Sequence, residues 1–155
     1  MEIIEIFEEK IKSDFCDGIL RQLPEWFGIE EAIVDYVQKV HEMPFFVAFD
    51  GENPIGFLAV KIHNPYTAEI FVMGILKDYH RHGIGSALIS RVESIYKTKG
   101  FQYLTVKTLD SSVDCEPYGR TRQFYARMGF IPLEVFPLFW DEANPCLFLA
   151  KCLHC

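Results

Sequence analysis

The run His80-Arg81-His82-Gly83-Ile84-Gly85-Ser86 sets two glycines and three basic side chains directly ahead of a segment with helical periodicity. Glycine lets a backbone come close to a ligand, the first-turn amides of a helix have no intrahelical partner, and the helix dipole favours negative charge at that end. Such a run is an anion cradle, most naturally for a pyrophosphate; the plainer alternative is a tight turn with exposed histidines. Later in the chain Tyr118, Arg122 and Tyr125 recur at i, i+4 and i+7, with Phe124 and Met128 beside them, so one helical face carries a cation between two phenols. Here the plainer alternative is a pair of amphipathic tyrosines at the core edge with their hydroxyls in water.

Positioning these residues requires a scaffold, and its elements are readable. Glu2 to Ile6 makes a short strand. Glu8 to Leu23 has helical spacing of Ile11, Phe15, Ile19 and Leu23, and Pro24 ends it. Glu30 to His41, with Ile33, Val37 and Val40 inward, is a second amphipathic helix that stops before Pro44. Phe45 to Phe49 and Ile55 to Ile62 pair as a hairpin across a longer loop, and Thr67 to Leu76 follows the Asn64-Pro65 turn. The period then changes to 3.6: Ile84, Leu88, Val92 and Ile95 mark a helix from Gly83 to Thr98, closed by Gly100. Phe101 to Leu109 returns as a strand, which makes a right-handed parallel crossover. A polar loop from Asp110 to Pro117 precedes a helix from Tyr118 to Met128. Strands Phe130 to Phe136 and Cys146 to Cys152 close the chain, separated by a loop holding Trp140 and Asn144-Pro145. The expected class is α+β: a single domain over 1–155 whose mixed central sheet has a parallel pair in its middle, flanked by about four helices.

With 155 residues, half of them apolar, the chain can bury a core of its own. Its net charge of −7 argues against a surface that tracks nucleic-acid phosphates. The charge is uneven. Tyr79 to Arg127 carries eight Lys or Arg against four Asp or Glu, a local +4, and leaves −11 for the remainder. One stretch of an acidic protein therefore faces an anion. No apolar run approaches a bilayer-spanning length and the amino terminus has no signal-peptide pattern, so a cytoplasmic protein without membrane association is expected. Five scattered cysteines suit free thiols in a reducing compartment. Cys152 and Cys155 form a C-x-x-C, but half a ligand set near a chain end reads as strand and tail, and no metal is expected.

Taken together, Y-H-R-H-G-I-G-S-A-L-I and F-Y-A-R-M-G-F resemble the GNAT superfamily of acetyl-CoA-dependent N-acetyltransferases, whose cofactor loop reads Q/R-x-x-G-x-G/A and whose later helix carries F-Y-x-x-x-G-F. The likeness covers nearly the whole order of elements, and one departure is His80 at the loop position where the family has Gln or Arg. The resemblance implies a splayed parallel strand pair and acetyl-CoA as acyl donor. It implies that the amides from Arg81 to Ser86, through His82, Gly83, Ile84 and Gly85, hold the pyrophosphate. It implies that the backbone of Met73, Gly74 and Ile75 pairs with the pantetheine arm, with the Met73 amide facing the thioester oxygen. Tyr118, Arg122, Phe124 and Tyr125 fall at the cofactor site, and Arg127 is placed to reach the ribose phosphate.

The implied reaction is attack of a primary amine, small-molecule or peptide, on a thioester. An amine with a pKa near 10.4 costs about 4 to 5 kcal/mol to hold neutral at pH 7, so a base is wanted. Glu69, in Ala68-Glu69-Ile70-Phe71-Val72, occupies the position where some lysine-acetylating members carry one. By alternation it shares a face with Phe71, Met73 and Ile75, unless a bulge reverses the phase; the alternative is a strand-end glutamate facing water. Tyr125 is the candidate acid for the departing thiolate. Trp26, Phe27, Tyr118 and Trp140 are candidate acceptor lining, each with core or surface packing as the alternative and Trp26 and Phe27 reading first as core, and the −11 remainder mildly favours a cationic amine. The chain is expected to act as a monomer or homodimer. Two other classes stay open: a non-catalytic acyl-CoA-binding or sensing module on the same fold, and a nucleotide-binding protein, though G-x-G lacks the third glycine of a dinucleotide fingerprint.

Overall fold

A computed structural model describes residues 1–154. The C-x-x-C reading rests on Cys155, which lies outside the described residues. The elements run β1 (Glu2–Ile6), α1 (Glu9–Leu20), α2 (Glu30–Val40), β2 (Phe45–Asp50), β3 (Asn53–Asn64), β4 (Thr67–Ile75), α3 (Ile84–Thr98), β5 (Tyr103–Leu109), α4 (Glu116–Arg127), β6 (Ile131–Asp141) and β7 (Asn144–Cys152). The strands form one seven-stranded sheet in the order β1-β2-β3-β4-β5-β7-β6. Each neighbouring pair is antiparallel except β4 with β5, joined through α3 as the expected crossover. Among the described residues no helix is long and apolar enough to cross a membrane.

Each face of the sheet buries one apolar cluster. On one face Cys16, Ile19 and Leu20 of α1 and Ile33 and Val40 of α2 meet Phe45, Val47, Phe57 and Val72. On the other, Leu88, Ile89, Val92 and Tyr96 of α3 and Tyr125 of α4 meet Phe46, Leu58, Ile70, Leu104 and Val106. The inward stripe of α1 differs from the expected one: Cys16 and Leu20 are buried, whereas Ile11 is 38% exposed.

Other boundaries shift for identifiable reasons. α1 ends at Leu20 rather than Leu23, because a succession of tight turns carries the chain on to Phe27. β2 and β3 extend inward until Asp50 faces Asn53, leaving a two-residue turn in which Gly51 takes a φ of +60°. α4 starts at Glu116, two residues early, since Pro117 sits in its first turn, where a missing N–H costs nothing. The loop expected between the last two strands is instead a long hairpin, with Asp141 opposite Asn144. That extra length puts Phe139 and Trp140 within β6, next to the turn.

Gly74 lies in β4 opposite Phe57. A Cβ there would meet Leu23 Cδ1 at 3.1 Å, Phe57 Cε1 at 3.2 Å and Ile19 Cγ2 at 3.3 Å, so the glycine lets α1 close onto the sheet. Gly74→Val is expected to lower the unfolding free energy by about 1 to 3 kcal/mol through overpacking, read from the urea midpoint. An unchanged midpoint would mean that α1 moves away freely.

Candidate active site

Parallel pairing between β4 and β5 runs only from Thr67–Tyr103 to Ile70–Val106. It stops at a bulge: Ala59 of β3 faces Val72 and Val60 faces Ile70, so Phe71 is an extra residue in β4. Beyond it the strands part around a cleft of about 650 Å³, lined along β4 by Met73, Gly74 and Ile75 and along β5 by Lys107 and Thr108. The Thr108 hydroxyl is buried and, among the described residues, has no hydrogen-bond partner. A buried hydroxyl is rarely left so, and a polar ligand lying in the slot would satisfy it.

The bulge also reverses the side-chain phase. Ala68 and Ile70 pack on the α3 face, and so do Met73 and Ile75, while Phe71 and Val72 pack on the α1–α2 face. Glu69 therefore does not share a face with Met73 and Ile75 as simple alternation predicts; it points to the α1–α2 side with Phe71 and Val72. Nor is its surrounding apolar. Lys107 Nζ donates to both carboxylate oxygens at 3.0 Å and His63 Nε2 to Oε1 at 2.6 Å. Glu69 is 4% exposed and does not line the cleft; Lys107 does. The Lys107 ammonium also lies 5.0 Å from the Phe139 ring centroid and 5.6 Å from that of Phe148.

At one end of the cleft the chain enters α3. Arg81 and Gly83 both have positive φ, +66° and +77°, which turns successive amides toward one concavity, and the left-handed Gly83 is the residue before the helix. The amide of Ala87 bonds to the Gly83 carbonyl, so those of Ile84, Gly85 and Ser86 precede the first intrahelical bond. Gly85 has a second reason to be glycine, since a Cβ would lie 3.0 Å from Phe124 Cζ. His80, Arg81, Gly83, Ile84, Gly85 and Ser86 all line the cleft, whereas His82 does not. His80 Nε2 donates to the Ile75 carbonyl at 2.7 Å and its ring meets the edge of Trp26.

Helix α4 forms the facing wall. Tyr118, Phe124, Tyr125 and Arg127 line the cleft. Arg122 does not: its guanidinium donates to the Leu109 carbonyl at 2.7 Å and ties α4 to the end of β5. The Tyr118 hydroxyl is committed to the Trp26 carbonyl at 2.8 Å, and Trp26 Nε1 donates to the Pro117 carbonyl at 3.2 Å. These bonds latch α4 to the turn after α1. The Tyr125 ring packs on Phe124 and Phe130, and among the described residues its hydroxyl has no hydrogen-bond partner. Burial first, then Tyr118 and Tyr36, pushes its phenol well above the ordinary tyrosine range, so it stays a donor. Trp26, whose ring meets His80, also lines the cleft, with Phe27, Tyr36, Phe71 and Trp140.

Lys107, Thr108 and Tyr36 escaped the sequence reading. A lysine inside Val106-Lys107-Thr108 was visible, but its pairing with Glu69 follows only from the parallel register that sets Glu69 beside Thr105.

A slot between splayed parallel strands, opening onto a glycine-bounded helix start, matches known proteins. The model of the acetyltransferase (GNAT) family matches residues 12–130. An uncharacterized N-acetyltransferase of Chlorobaculum tepidum is 29% identical over 125 residues, covering 79% of this chain and 72% of that protein. N-alpha-acetyltransferase 30 of Schizosaccharomyces pombe is 29% identical over 132 residues, covering 80% of each. The crystal structure of an aminoglycoside 6'-N-acetyltransferase complexed with coenzyme A has the same fold, with a TM-score of 0.77 at 17% identity over 99% of this chain and 97% of that one. The chain belongs to the acetyltransferase (GNAT) family and is an acyltransferase.

Proposed function

We propose that the slot takes acetyl-CoA and that the protein moves the acetyl group to a primary amine by direct attack within a ternary complex. The observation that carries this reading is the β4 edge left unpaired beyond Ile70, continuous with the positive-φ loop at Arg81 and Gly83. An extended thioester arm would lie along Met73 to Ile75 as a missing strand, within reach of the orphaned Thr108 hydroxyl. The amides of Arg81 and of Gly83 to Ser86 would hold the pyrophosphate, and Arg127 the ribose phosphate. The relatives' names range from an aminoglycoside 6'-N-acetyltransferase to an N-alpha-acetyltransferase, so kinship alone selects no acceptor.

In the reaction the amine lone pair forms a bond to the acyl carbon, the carbonyl oxygen takes up negative charge opposite the Met73 amide, and the carbon–sulfur bond breaks. Tyr125 donates a hydrogen bond to the departing thiolate. Its raised pKa makes complete transfer steeper than the ~2 kcal/mol separating an ordinary phenol from a thiol, so stabilisation rather than delivery of the proton is its role. Glu69 stands behind Lys107 and holds that lysine at the slot wall, and the ammonium proton of the acceptor passes to water in the open end of the cleft. Most of the acceleration is orientation, which supplies as much as about 7 to 11 kcal/mol.

Acetyl-CoA is expected to stabilise the protein against heat by about 2.7 kcal/mol at a hundredfold excess over its dissociation constant, and NAD and ATP by much less. Equal shifts from all three would remove the donor assignment. Tyr125→Phe is expected to leave acetyl-CoA protection intact and lower kcat by roughly 10²-fold. Full activity in that variant would take the thiolate role from Tyr125, and Tyr118, its hydroxyl already bonded to Trp26, could not inherit it without breaking the latch.

A further inference from the structure

The charged side chains lining the cleft are Arg81, Lys107, Arg120 and Arg127, and among the described residues no aspartate or glutamate joins them. Arg81 and Arg127 belong to the phosphate end. Lys107 lies where β4 and β5 part, and Arg120 lies 5.9 Å from the Trp26 ring, with Tyr36, Phe71 and Trp140 also lining the cleft. The carboxylates nearest Arg120 are Glu116 at 2.9 Å and Glu25 at 4.0 Å, both outside the lining. Lys107 spends at most two of its three N–H donors on Glu69, so one remains for a ligand in the slot. An acceptor with several positive charges meets only like charge here.

The same walls offer no carboxylate as base. Glu69 is outside the lining and engaged by Lys107 and His63. His80 has its Nε2 bonded to the Ile75 carbonyl, which leaves Nδ1 as the one basic nitrogen in the lining among the described residues. Tyr36, pushed up to about 12 by burial, and Tyr125 are donors at neutral pH. An acceptor that brings its own free base needs least from these walls. At pH 7 roughly one peptide amino terminus in ten is unprotonated, against about one in 2,500 for an amine of the lysine class.

We infer that the acceptor is an α-amine, of a free amino acid or a peptide amino terminus, whose neighbouring carbonyl or carboxylate oxygen is held by Lys107 while its side chain lies among the slot's aromatic rings. This rests on the acetyl-transfer reading above. It reverses the mild preference for a cationic amine suggested by the −11 remainder, because those acidic residues do not line the cleft.

The test uses the full chain, acetyl-CoA and four acceptors: phenylalanine, a phenylalanyl dipeptide amide, phenethylamine (the same ring without a carbonyl) and spermidine, with thiol release as readout. Expressed per free base, kcat/KM for the better α-amine is expected to exceed that for phenethylamine by about tenfold, the effect of one hydrogen bond from a charged donor. Spermidine is expected to be poorest. Removing both charges in Glu69→Gln/Lys107→Met, so that no carboxylate is stranded, should bring the tenfold ratio near one, and Lys107→Arg should keep most of it. The dipeptide amide outrunning phenylalanine assigns a peptide terminus, and the reverse a free amino acid. Phenethylamine or spermidine matching the α-amines per free base, a ratio unchanged in the paired variant, or release with none of the four while acetyl-CoA still protects against heat would overturn the inference and leave donor binding standing. Failure of acetyl-CoA to protect would instead remove the acetyl-transfer reading itself.

Discussion

A single extra residue, Phe71, sets the geometry on which the site depends. Because it has no partner in β3, it bends β4 and reverses the phase of every side chain after it. The β4–β5 ladder ends at the neighbouring Ile70, so the slot opens there with one strand edge unpaired. The phase reversal also puts Gly74 under α1, where Ile19 and Leu23 need the room, and Met73 and Ile75 toward α3. An unpaired edge inside a sheet would ordinarily invite another strand. Here α4, tied to Leu109 through Arg122 and to Trp26 through Tyr118, stands over the opening and restricts what can enter.

Charge is arranged by the same frame. The chain as a whole is acidic, yet the residues that reach into the slot are cationic or neutral, and its buried carboxylate, Glu69, is turned away to hold Lys107. A buried ion pair of this kind adds little net stability, because desolvation offsets much of its attraction. What it does supply is a fixed position for one ammonium group, between the Phe139 and Phe148 rings and at the slot wall. That position depends on the long β6–β7 hairpin, since Phe139 lies in the part of β6 extending toward the Asp141–Asn144 turn.

Much of this was legible in the chain. The order of elements, the crossover helix and the glycine loop could be read because periodicity and helix-end chemistry are local. Pro117 misled by two residues, being as much at home inside a helix start as before it. Glu69 could be singled out but not understood: its direction depends on a bulge at Phe71 that leaves no sequence mark, and its partners His63 and Lys107 come from the strands on either side. Arg122 shared the right helix with Tyr125 but turned to a backbone carbonyl instead of the slot. In each case the missing information was a tertiary register, which no window along the chain contains.

The most direct test of the slot is amide hydrogen exchange on the full chain with and without coenzyme A. If the ligand's arm pairs with β4 as a missing strand, amides within residues 71–75 should exchange at least about tenfold more slowly when it is bound, together with those of residues 84–86 at the helix start. Protection at residues 84–86 with none across residues 71–75 would contradict it, because the phosphates would then be held while the open strand edge stayed in water.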